Sequence, residues 1–84
     1  MRIKQVIPLA NHTLKIEAED GQNGIFSIMP YLKYEVFQPL QDVAEFMKIS
    51  NGGYFVEWEC GADLSADTIE AKMLVDHQVS PVGK

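Results

Sequence analysis

A single cysteine, Cys60, sets the first constraint. One thiol closes no internal disulfide, and no CxxC pair or Cys/His spacing suited to zinc occurs. Basic residues are few. Seven Lys and Arg against twelve Asp and Glu give a net charge of −5 and a pI near 4.8. The seven cations, Arg2, Lys4, Lys15, Lys33, Lys48, Lys72 and Lys84, are scattered, whereas a phosphate backbone is held by clustered cations that displace counterions. Direct nucleic-acid binding by this segment is therefore not expected, and a basic protein partner suits the field better. Long apolar runs are also missing. Nothing approaches the roughly 20 residues of a membrane span. Met1 to Pro8 has no signal-peptide core of about 7–15 apolar residues, so the expected location is cytoplasmic.

Length is short as well. At 84 residues and 9.4 kDa the chain reads as one domain burying about 60–65% of its unfolded surface, too little for a deep substrate cavity. A hydrophobic share of 46% beside a charged share of 23% argues against disorder.

Periodicity supplies the elements. Ile3 to Pro8 is short and β-branched, and Pro8, lacking a ladder donor, suits the strand's end. From His12 onward Leu14, Ile16 and Ala18 share one face and Thr13, Lys15, Glu17 and Glu19 the other, the pattern of a half-buried antiparallel strand. Asp20-Gly21 signals a type I′ turn into a strand over Ile25 to Met29, ended by Pro30. The segment from Tyr31 to Leu40, broken by Pro30 and Pro39, reads as a helical turn and a loop covering one edge of the core. Asp42 to Glu45 has capping-box spacing, with Asp42 accepting from the Glu45 amide, for a short helix from Val43 to about Met47 with Phe46 inward.

Asn51-Gly52 is the preferred pair of a two-residue hairpin turn. With those residues as the turn, Ser50 faces Gly53, Ile49 faces Tyr54, Lys48 faces Phe55 and Met47 faces Val56. That register puts Met47, Ile49, Tyr54, Val56 and Trp58 on the core face and Lys48, Phe55 and Glu57 outside. Beyond Gly61, Ser65 is a good N-cap for a helix from Ala66 to about Val75, with Asp67 placed for the helix dipole and Ile69 and Met73 inward.

Each chemical motif has a structural counterpart. Cys60 as a nucleophile needs a base, but His12 and His77 fall at a strand start and in a tail, and Glu57, Glu59 and Asp63 surround the thiol with negative charge. The carboxylates Glu57, Glu59, Asp63 and Asp67 lack the spacing of a hard-metal loop, and Asp67 already has a place in a helix cap. Gly21 and Gly24, and Gly52 and Gly53, explain themselves as hairpin turns rather than phosphate loops. Phe55 stands apart. It is an aromatic on the outer face beside charged residues, which reads either as a partner contact or as a ring covered by the Tyr31 to Leu40 loop.

The stretch Gly24 to Leu32, with Pro30-Tyr31-Leu32, then Phe37, Pro39-Leu40, Phe46 and Gly53, leads to the motif Trp58-Glu59-Cys60-Gly61-Ala62-Asp63-Leu64-Ser65-Ala66-Asp67-Thr68-Ile69. Over roughly residues 3–75 this order resembles the bacterial domain of unknown function 2442 family, with its "SPYL" segment and final W-x-x-G-x-D-(I/L)-x-x-(D/E)-T-(I/L) pattern. Ser27 stands where that family has Asp, and Met29 where Ser is commoner. The resemblance implies no established activity. It implies members that accompany another small protein in an antitoxin-like manner, and others that continue into a C-terminal helix-turn-helix domain.

The expected fold is α+β: one antiparallel sheet of about five strands, made of two hairpins and an N-terminal strand, with a short helix after Pro39 and another after Ser65. Residues 1–75 form the domain, and 76–84 a flexible tail or the start of a linker. The expected role is a non-catalytic protein-interaction or regulatory module with no cofactor and no metal, meeting a protein partner or a second copy through Phe55, Glu57 and Glu59. Pro30, Tyr31, Leu32, Trp58, Gly61, Asp63, Ser65, Asp67 and Thr68 are read as structural. The alternative is the regulatory or dimerisation domain of a helix-turn-helix regulator whose DNA-reading part lies outside this chain. A third reading is a small enzyme using Cys60, Asp63 and Asp67.

Overall fold

The alternation that begins at Thr13 builds the centre of the fold. The structure is a computed structural model describing residues 1–75. The tail expected over 76–84 lies outside the described residues. Among the described residues the order is β1 (Ile3–Leu9), β2 (Thr13–Ala18), β3 (Asn23–Ser27), α1 (Val43–Phe46), β4 (Ile49–Asn51), β5 (Phe55–Trp58), β6 (Asp63–Ser65), α2 (Ala66–Lys72) and β7 (Leu74–Val75), with 3-10 turns at Met29–Tyr31 and Glu35–Gln41.

These strands make two antiparallel sheets, not the single five-stranded sheet expected. One is β1-β2-β3 with the two-residue β7 at its edge, and the other is β4-β5-β6. Each sheet has one buried face, and the two faces share one core. Leu14, Ile16 and Phe26 from the first meet Val56, Trp58 and Leu64 from the second, closed by Ile28, Phe37, Leu40, Phe46, Ile69 and Met73. Splitting the strands lets both apolar faces be buried together, which one small flat sheet cannot do. Pro8 falls inside β1, opposite Leu14, rather than at its end. Because β1 is an edge, its missing N–H costs no interior ladder bond.

Local chemistry sets the boundaries. Ser65 caps α2 as expected, accepting from the Thr68 amide at 3.1 Å. The helix ends at Lys72, three residues short of the expected end. Met73 turns extended, and Leu74 and Val75 pair with Ile25 and Gly24. Gly24 permits that approach, since a Cβ there would lie 2.8 Å from the Met73 sulfur. At α1, Asp42 accepts from the Ala44 amide at 3.0 Å rather than from Glu45, and the Glu45 carboxylate turns away to Lys48 at 3.1 Å. The reciprocal half of the capping box is therefore absent.

The hairpin turns differ most from expectation. The β2–β3 turn, closed by the Ala18 amide donating to the Gln22 carbonyl at 2.8 Å, is the three-residue Glu19–Gly21, with a left-handed Gly21 (φ +94°). Asp20 accepts from the Gln22 amide at 2.9 Å instead of entering a type I′ turn. Between β4 and β5 the pairing is Ile49 with Trp58, Ser50 with Glu57 and Asn51 with Val56. Asn51 is thus the last residue of β4, and the two-residue turn, closed by the Gly52 amide donating to the Phe55 carbonyl at 2.8 Å, is Gly53-Tyr54. Gly53, at φ +90°, occupies the first central position, where type II′ turns take Gly. The Asn51 amide oxygen accepts from Gly53 N at 2.8 Å, and its NH2 donates to the Ile3 carbonyl at 3.0 Å, tying the two sheets together. Met47 and Tyr54, expected in the core, are 52% and 64% exposed.

A chain of ring contacts crosses the interior. It runs from His12 through Phe46, Trp58, Phe37 and Tyr31 to Tyr34. At one end, Asn11 and His12 both adopt left-handed φ (61° and 55°), a conformation His tolerates better than most residues. The His12 ring donates from Nε2 to the Leu40 carbonyl at 2.8 Å, which fixes that tautomer.

Candidate functional site: the outer face of the second sheet

Alternation along β5 buries Val56 and Trp58 and turns Phe55, Glu57 and Glu59 outward. The register then fixes their neighbours. Glu57 lies between Ser50 of β4 and Asp63 of β6, and Phe55 is opposite Ser65. Two carboxylates therefore face each other directly across the β5–β6 ladder, an arrangement that disfavours the fold. No ion pair among the described residues includes either one.

Lys48, the lysine at this face, serves other carboxylates. Lys48 Nζ lies 3.1 Å from Glu45 and 3.7 Å from Glu59. Its hydrogen bond to Glu45, then the charges of Glu45 and Glu59, raise the ammonium above the ordinary lysine value of 10.5. What this pairing adds to stability is fully present below that value and is lost as pH rises through the raised one. Glu59 is thus partly neutralised, while Glu57 and Asp63 are not.

Phe55 completes the surface. Its ring lies over Gly52, where any side chain would collide with it. This glycine supports the ring from beneath. The ring is still 41% exposed, so the face presents an aromatic platform beside uncompensated acids.

The family-like residues divide by role. Trp58 is buried, and its indole N–H donates to the Phe46 carbonyl at 2.9 Å. Gly61, at φ +101°, ends the three-residue turn Glu59–Gly61, which the Trp58 amide closes by donating to the Ala62 carbonyl at 2.8 Å; the Gly61 N–H donates to the Trp58 carbonyl at 2.9 Å. Ser65 and Thr68 form the cap, and Asp67 sits in the first turn of α2. Pro30 enters a 3-10 turn, and Tyr31 and Leu32 pack against the core. Asp63, expected to be structural, is exposed at the start of β6, opposite Glu57.

Cys60 is an exposed free thiol in the β5–β6 turn. Among the described residues, no group of three or more His, Cys, Asp or Glu is arranged to hold a metal ion. No helix there is long and apolar enough to cross a membrane. The pairing of Glu57 with Asp63 follows from the three-residue loop at Gly61, which sequence alone shows only as a Gly beyond a strand.

Comparison with curated proteins gives no match, and comparison with solved structures gives none either. Residues 3–73 match the family model described as protein of unknown function (DUF2442), and the chain belongs to that family.

Proposed function

We propose that the domain is a non-catalytic interaction module that takes a basic protein surface on the outer face of its second sheet. The supporting observation is the Glu57–Asp63 pair, two facing acids that disfavour the fold and stand beside the exposed Phe55. A charge arrangement that costs stability and serves no packing role is what a binding surface retains. Lysine or arginine groups of a partner would compensate both acids, while Phe55 supplies apolar area at low entropic cost.

The test is paired. Reversing one acid, Asp63→Lys, creates a cross-strand ion pair with Glu57 and is expected to stabilise the fold by about 0.2–1 kcal/mol. The same change weakens capture of the partner from native lysate by tenfold or more, roughly the effect of truncating a charge contact. Retention of the same proteins by Asp63→Lys and by Phe55→Ala would remove the reading.

A second reading, a dimerisation domain within a larger regulator, is favoured by a different surface. On the open face of the first sheet Ile7, Lys15, Ile25 and Leu74 stand in one cross-strand row. Ile7 is 36% exposed and Leu74 78% exposed. Sedimentation of the 84-residue chain decides it. On this reading a dimer forms at micromolar concentration and Ile7→Lys converts it to monomer; a parent chain that sediments as monomer throughout excludes it.

A further inference from the structure

We infer that the cleft between the Met29–Tyr31 turn and the end of α2 is a binding site for a small planar anion, an aromatic or heteroaromatic ring carrying a phosphate or carboxylate. The cleft is lined by Pro30, Tyr31, Lys33, Tyr34 and Lys72 and measures about 400 Å³. That volume lies within the range of small-ligand sites. It shares no residue with the Phe55–Glu57–Asp63 face and does not depend on how that face is read.

Three features point to this ligand class. First, the walls are rings. Tyr31 is half-buried and held by Phe26 and Phe37, each with its ring centroid 5.7 Å away, so it is a fixed platform. Tyr34 follows at 6.4 Å with its ring tilted by 55°, and Pro30 adds a third apolar wall. A planar body stacks on such surfaces with little reorganisation. Second, two cations line the cleft of an otherwise acidic protein. Lys33 and Lys72 come from distant parts of the sequence to line the same space, and no ion pair among the described residues includes either one. Third, Lys33 is already positioned, its Nζ lying 5.3 Å from the centroid of the Tyr34 ring. A ligand ring entering beside Tyr34 would therefore bring its anionic group to a waiting ammonium.

Amide chemical-shift titration of the full chain tests the site, using AMP, benzoate, adenosine and inorganic phosphate as separate probes. AMP or benzoate should shift the Tyr31, Lys33, Tyr34 and Lys72 amides saturably, and whichever saturates identifies the head group. Adenosine and phosphate, each carrying half of the recognition, should bind at least about tenfold more weakly than AMP. Both lysines are exposed, so K33E/K72E should fold. It should lose AMP or benzoate binding by about tenfold or more, whereas K33R/K72R retains it. The inference is overturned if neither AMP nor benzoate saturates by about 10 mM, if AMP saturates and adenosine binds as well, or if K33E/K72E binds like the parent.

Discussion

Trp58→Ala is expected to cost about 3–5 kcal/mol of folding stability, against the roughly 4–12 kcal/mol that a domain of this length possesses in total. Two separate losses make the effect large. The indole is the largest fully buried side chain, stacked on Phe46 at 6.3 Å and edge-on to Phe37 at 6.3 Å. Its removal breaks the ring chain at its middle. The indole N–H also satisfies the Phe46 carbonyl, which is the last of α1 and has no partner within that helix. Trp58→Phe separates the two terms, because it keeps most of the ring and leaves the carbonyl orphaned at a cost of about 1–3 kcal/mol. Urea unfolding followed by far-ultraviolet circular dichroism measures both. A Trp58→Phe protein within about 0.5 kcal/mol of the parent, at unchanged denaturant slope, would show that the capping bond contributes little.

The same residue shows what the sequence makes legible. Strict alternation from Thr13 to Ala18, and from Phe55 to Trp58, identifies core and solvent faces, and Leu14, Ile16, Val56 and Trp58 are all buried. The expected Asn51-Gly52 turn lies two positions from the observed Gly53-Tyr54 connection. That error left those faces intact, because moving a pairing by an even number of residues keeps every side chain on its side of the sheet. Only Met47 and Tyr54 at the hairpin's ends change environment. Sheet number was less accessible. Whether β4–β5–β6 extends the first sheet or packs as a second is decided by how the Met29–Tyr31 and Glu35–Gln41 turns and α1 carry the chain between them. Proline-broken, aperiodic segments carry no periodic signal of that path.

The candidate sites show the same division. Phe55, Glu57 and Glu59 were legible as an outer face because they alternate with Val56 and Trp58. Asp63 was not, since its significance depends on lying opposite Glu57. Lys33 and Lys72 were wholly hidden, for residues brought together from a 3-10 region and a helix end obey no spacing rule. A local motif shows itself in sequence, whereas a cleft between elements requires the topology.

Asn51→Ala is expected to destabilise the domain by about 2 kcal/mol, although residue 51 is an exposed polar position of the kind that usually tolerates change. Its side chain makes two bonds with different consequences. The oxygen accepts from Gly53 N and fixes the turn at Gly53-Tyr54, while the NH2 donates to the Ile3 carbonyl and joins the second hairpin to β1. The Ile3 amide donates in return to the Gly53 carbonyl at 2.7 Å, so the tether is reciprocal. Asn51→Asp distinguishes the bonds. Its carboxylate can still accept from Gly53, but it sets an anionic oxygen against the Ile3 carbonyl, where a donor stood. If the inter-sheet tether is the more important bond, Asn51→Asp should lose nearly as much as Asn51→Ala. Hydrogen exchange at the Ile3 amide should also accelerate in both variants well beyond that at Leu14, in the core of β2. An Asn51→Asp protein as stable as the parent, with Ile3 still protected, would show instead that the turn alone sets the hairpin register and that the sheets are joined by apolar packing.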